Sequence, residues 1–128
     1  ASLYVAETYT GQILHFPIES PGRIRRTADT PAAAAGMVIG RAGASRYPDS
    51  MAIDSAGYVC VATAGLGGIL VLAPDGSSSE QLALPDPLTS NICFGGPGLR
   101  TAYVTFGLSG RVVAFEWPRP GLPLEFSR

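Results

Sequence analysis

The sequence has no lysine: all nine basic residues are arginines, scattered along 128 residues and set against ten acidic ones. The resulting net charge of −1 gives no long-range attraction to nucleic acid or to an anionic membrane. Arg23, Arg25 and Arg26 form the one basic cluster, which reads as a solvated strand face rather than a binding patch. With His15 as the single histidine, a Ser-His-Asp triad would hang on one imidazole, and no Gly-x-Ser-x-Gly elbow accompanies it. Two cysteines, Cys60 and Cys93, are too few for a disulfide scaffold. Each is flanked by apolar residues and is expected to be a buried small hydrophobe. No long hydrophobic run is present: the longest, residues 59–73, carries three glycines and is too short to span a bilayer. No glycine-rich loop follows a strand and opens a helix, so nucleotide binding is not expected. No signal peptide is visible, and the chain begins at Ala1 inside a strand-like run, as a processed or partial sequence would.

What is present is a well-buried composition, 46% hydrophobic and 15% charged, suited to one soluble globular domain. The chain is a succession of short β-type runs separated by turn signals. Leu3 to Thr8 and Gln12 to Ile18 flank the turn Tyr9-Thr10-Gly11, and a third strand is expected within Gly22 to Thr27. Met37-Val38-Ile39 reads as a short strand, and residues 40–47 as a loop. Met51 to Ile53, Val59 to Ala62, Ile69 to Ala73 and Glu80 to Leu84 follow. The last group is Ser90 to Phe94, Ala102 to Phe106 and Arg111 to Trp117, with Leu124-Glu125-Phe126 as a final short strand. Residues 32–36 contain helix formers but lack the length and periodicity of a helix.

The runs repeat. Without a gap, Tyr4-Val5-Ala6 falls on Cys60-Val61-Ala62 and on Tyr103-Val104-Thr105. Gly11 then falls on Gly67 and Gly110, and Ile13-Leu14 on Ile69-Leu70 and Val112-Val113. The strand before each hairpin repeats too, Met51-Ala52-Ile53 against Ile92-Cys93-Phe94. Four strands per unit, at a period of roughly 40–55 residues, is the pattern of a β-propeller blade. The expected fold is therefore all-β, a partial β-propeller of about three four-stranded antiparallel blades. Residues 1–44 would form an incomplete blade, 45–86 a complete one and 87–128 a nearly complete one.

The stretch Tyr47-Pro48-Asp49-Ser50-Met51-Ala52-Ile53-Asp54 places one carboxylate at a rigid strand entrance, because Pro48 fixes its own φ and pushes Tyr47 toward an extended conformation. The turn Asp54-Ser55-Ala56-Gly57 closes the following hairpin. Together with Asn91-Ile92-Cys93-Phe94-Gly95-Gly96 and Ala102-Tyr103-Val104-Thr105, this stretch resembles the senescence marker protein/gluconolactonase/regucalcin family of six-bladed propellers. The resemblance implies a C-terminal half of that fold and a metal-dependent lactone or ester hydrolase. It makes Asp49 both a metal ligand and a catalytic general base, for a divalent ion expected to be calcium, with zinc or magnesium as the other choices. A hard cation of this kind takes carboxylate and carbonyl oxygens. One carboxylate is too few for a tight site, so the other ligands would come from other blades. Asn91 and Ser90, at the matching entrance of the next blade, are expected to touch a small lactone or ester substrate. Where the family has glycine, this chain has Ser50. The alternative reading is a non-catalytic partial propeller that binds a partner or a second copy of itself through open blade edges, which no lysine blunts.

Overall fold

The computed structural model describes residues 1–25 and 36–125. Eleven strands among them form three antiparallel sheets. In the first, β1 (Ser2–Glu7) pairs with β2 (Gln12–Ser20), whose other edge carries both β3 (Arg23–Ile24) and β4 (Met37–Arg41). The second runs in chain order through β5 (Arg46–Ile53), β6 (Val59–Gly65), β7 (Ile69–Leu72) and β8 (Ser79–Leu82). The third holds β9 (Thr89–Gly95), β10 (Thr101–Phe106) and β11 (Arg111–Glu116), with one 3-10 turn at Pro97–Leu99. The fold is all-β, a partial propeller whose blades stack face to face.

The sequence repeat has a direct structural cause. The three hairpins pair in the same register: Val5 opposite Leu14, Val61 opposite Leu70, Val104 opposite Val113. Each turns at a glycine with φ of 69° (Gly11), 75° (Gly67) or 64° (Gly110), where an L side chain is disfavoured. At Gly67 a Cβ would also lie 2.3 Å from the Asp86 carbonyl oxygen.

The second blade is buried on both faces. Val59, Val61, Leu70 and Leu72 pack with Ile13 of the first blade and Met51. Cys60, Ala62, Ile69 and Val71 pack with Ile92, Ala102, Val104 and Trp117 of the third. Alternate residues of one strand thus serve two cores, which is why β6 and β7 read as unbroken apolar runs rather than alternating ones. Trp117 rests against Phe94 and Phe115, at centroid distances of 5.6 and 6.1 Å.

Two buried carboxylates clasp the second and third blades. Asp54 accepts hydrogen bonds from the amides of Ala56 and Tyr58, both 3.0 Å, and pairs with Arg119. The Arg119 guanidinium also lies 4.2 Å above the Tyr58 ring. The tail beyond β11 completes this clasp, with Ser55 N–H on the Pro120 carbonyl and Leu122 N–H on that of Ile53. At the other rim, Asp86 accepts from Leu88 N at 2.8 Å and from Ser109 N and Oγ at 2.9 and 2.7 Å. Desolvation pushes the Asp86 carboxyl up, but the Ser109 hydroxyl and amide and the amides of Leu88 and Leu108 outweigh it, so its pKa lies below the ordinary value.

Several expectations are corrected. β5 begins at Arg46, so Asp49 lies inside a strand and not at its entrance. Within the expected third strand β3 covers only Arg23–Ile24, and Arg26 and Thr27 lie outside the described residues, as do residues 32–35. Leu124 and Glu125 are not in a strand, because the tail is drawn across to Asp54 at Gly121; Phe126 lies outside the described residues. Cys60 is buried as expected, its thiol pushed up to about 12 by desolvation and by the Asp54 carboxylate. Cys93 is exposed, because no described sheet covers its face of the third blade. Arg23 and Arg25 both reach Glu19 on an exposed face, as a solvated cluster would; Arg26 lies outside the described residues.

Three outcomes follow. Asp54→Ala strands two buried amides and Arg119, and should cost about 3 kcal/mol in urea unfolding; a loss near zero would contradict the clasp. The stabilisation from Asp86 is fully present above the ordinary carboxylate pKa of about 4 and is lost as pH falls through its lowered folded-state value. Asp86→Asn should therefore narrow the stability gap between neutral and acid pH, and an unchanged gap would contradict it. Iodoacetamide should label Cys93 in the native protein and Cys60 only after unfolding.

Candidate active site

Pro48 has no N–H to give the ladder, and β5 breaks register beside it. Pro48 opposes Thr63 and Met51 opposes Val61, so Asp49 and Ser50 both stand against Ala62. This is a β-bulge, a device that re-aims side chains. β9 carries the same irregularity: Thr89 opposes Phe106 and Asn91 opposes Thr105, with Ser90 the extra residue. Asp49 and Ser50 of one blade are therefore the structural equivalents of Ser90 and Asn91 of the next.

The two inner strands lie side by side, and the bulges meet. Ser50 Oγ donates to Asn91 Oδ1 at 2.7 Å. Ser90 Oγ and Thr105 Oγ1 share a hydrogen bond at 2.9 Å within the third blade. Asp49 is exposed, and its carboxylate makes no hydrogen bond or ion pair with the described residues. A cleft of about 270 Å³ runs between β5 and β9 from Ser50 and Asn91 past Ile53 and Cys93 to Leu122 and Leu124.

The structure thus brings Asn91 beside Ser50, one residue from Asp49, while the Ser90 hydroxyl turns to Thr105. The contact from Ser50 escaped the sequence reading. Its signal was the replacement of glycine by a residue with a hydroxyl. Ser50 has no positive φ, so the backbone here does not need glycine.

The position is buttressed at the rim. Thr89 Oγ1 accepts from Gly68 N at 3.1 Å and donates to the Asp86 carbonyl at 2.8 Å, tying the start of β9 to the β6–β7 turn. A larger cleft, about 590 Å³, lies at the opposite strand ends between the first two blades and contains none of the expected site residues. There His15 stacks on Tyr4 at 5.1 Å and its Nε2 bonds Ser2 Oγ at 2.9 Å. No carboxylate among the described residues bonds that imidazole, so it forms no triad there.

A divalent ion fits the described residues only in part. The Asp49 carboxylate is a hard oxygen donor, the type such an ion takes, but no group of three or more His, Cys, Asp or Glu side chains placed to hold a metal occurs among the described residues.

Comparison with known proteins accounts for the fold and this strand arrangement. Residues 1–107 match the model of the SMP-30/Gluconolactonase/LRE-like region. The chain is 36% identical over 81 residues to the 6-deoxy-6-sulfogluconolactonase of Pseudomonas putida, covering 62% of this chain and 28% of that protein. It is 36% identical over 64 residues to Xenopus laevis regucalcin, covering 49% of this chain and 21% of that protein. The chain thus spans less than a third of the length of these relatives. A solved structure assigned as a gluconolactonase superposes with a TM-score of 0.74 at 25% identity, over 96% of this chain and 37% of the other. A luciferin-regenerating enzyme superposes at 0.68 and 18% identity, over 94% and 43%, and supports the fold alone. With five-sixths of its length inside the family model, the chain belongs to the SMP-30/gluconolactonase/LRE-like family.

Proposed function

We propose that this chain carries part of the active site of a lactone hydrolase, with Asp49 as the catalytic carboxylate. The observation that supports this most is the free, exposed Asp49 on a bulge, one residue from the Ser50–Asn91 pair. A carboxylate with no structural partner, held on a rigid strand, is available to take a proton.

In the proposed reaction Asp49 accepts a proton from a water molecule as its oxygen bonds to the lactone carbonyl carbon. The resulting tetrahedral oxyanion collapses, the ring C–O bond breaks, and the proton passes to the leaving ring oxygen. The product is an open-chain hydroxy acid. Asn91 donates its amide hydrogens to a substrate oxygen, and Ser90 supports the same edge from its bond to Thr105. Asp49 is also the proposed protein ligand of a divalent ion, calcium in the first instance, with the remaining oxygens supplied from outside the described residues. The proton transfers assigned to Asp49 do not depend on that ion.

A second reading is favoured by the uncovered face of the third blade, where Tyr103 is 38% and Val112 69% exposed. A second copy of the chain pairing there would be a self-association module. Light scattering separates the two states by mass.

Asp49→Asn removes the base and keeps the side chain's shape. Lactone hydrolysis, followed by acid release, should fall at least about 100-fold with the melting temperature unchanged. Retained activity would overturn the assignment of Asp49.

A further inference from the structure

The cleft between β5 and β9 has two ends of different character. At one end Ser50 donates its hydroxyl proton to Asn91 Oδ1, which leaves both Asn91 amide hydrogens without a partner among the described residues. At the other, Leu122 and Leu124 are 46% and 68% exposed. From Ser50 to Ile53 the strand advances three residues, about 10 Å at ~3.3 Å each. Among the described residues, no arginine, aspartate or glutamate lines the cleft between these ends.

This lining discriminates between lactones. A sugar lactone carries hydroxyls around its ring, and hydroxyls pressed against leucine and isoleucine lose water without gaining a partner. A sulfonate or carboxylate substituent would meet no cation there among the described residues. An alkyl substituent gains by leaving water, and the leucines gain with it. The amide donors of Asn91 suit the neutral acceptor oxygens of the lactone group itself.

We propose that the cleft is a substrate subsite for lactones bearing an apolar substituent, with the lactone oxygens at Asn91 and the substituent lying along Ile53 toward Leu122. Ser50 is its positioning residue, because its hydrogen bond decides which end of the Asn91 amide faces the ligand. The identification of the ligand as a lactone rests on the hydrolase reading above; the apolar preference rests on the lining.

Cys93 lines the same cleft and reports on it. Iodoacetamide labelling of native protein can be followed with δ-nonanolactone, δ-valerolactone or glucono-δ-lactone present. Each buried methylene adds roughly two- to fourfold in affinity. Half-maximal protection of Cys93 should therefore need at least about tenfold less δ-nonanolactone than either other lactone. Leu122→Asn should erase that advantage. Equal protection by all three, or best protection by glucono-δ-lactone, would overturn the proposal. Hydrolysis of the same lactones separates the two readings. Hydrolysis without chain-length preference in binding would overturn the subsite and leave the hydrolase. Protection by δ-nonanolactone without any hydrolysis would overturn the hydrolase and leave the apolar subsite.

Discussion

The constraint on which this structure rests is the burial of the second blade on both of its faces. β6 and β7 have no solvent side: Val59 and Val61 belong to one core and Cys60 and Ala62 to the other. Each core is completed by a neighbouring sheet, so no blade here is a stable unit alone. This fixes the stacking order, and the stacking order sets β5 beside β9. Ser50 can reach Asn91 only because forty-one residues of chain return the second inner strand to the same height as the first. The carboxylate clasps at Asp54 and Asp86 lock that height from opposite rims, one through the tail after β11 and one through the Ser109 turn.

Division of labour among the carboxylates follows from their surroundings. Asp54 is fully buried and is consumed by two amides and a guanidinium. Asp86 is consumed by the turn it closes. Asp75, in the turn after β7, has its carboxyl held below the ordinary range by the Ser77 hydroxyl and amide. Asp49 has none of these partners. Among the described aspartates it is the one whose carboxylate has no hydrogen-bond or ion-pair partner, and the bulge that holds it recurs at the equivalent place in the next blade.

Much of this was legible in the sequence, and the reasons are physical. The hairpins could be aligned because a two-residue period, a fixed turn length and a glycine at positive φ leave the same trace three times. The candidate carboxylate was legible through Pro48 and through family resemblance. The bulge was not, since an extra residue in a ladder is a matter of pairing between strands and changes no residue type. The Ser50–Asn91 bond joins positions in different blades, so the serine in place of glycine was its one trace in the sequence and did not name the partner. The exposure of Cys93 escaped for a similar reason: its neighbours in sequence are as apolar as those of Cys60, and only the absence of a described sheet against its face distinguishes them. Asp86 lies between two prolines, and nothing near it in sequence shows that the turn it secures is twenty-three residues away.

The most direct test of the central claim, that ligand chemistry occurs where the two bulges meet, is amide NMR of the native chain titrated with a lactam, the slowly hydrolysed analogue of a lactone. The account predicts shifts confined to Asp49, Ser50, Ser90, Asn91 and their neighbours along β5 and β9. Shifts confined instead to the cleft around Tyr4 and His15, with the bulges silent, would contradict it.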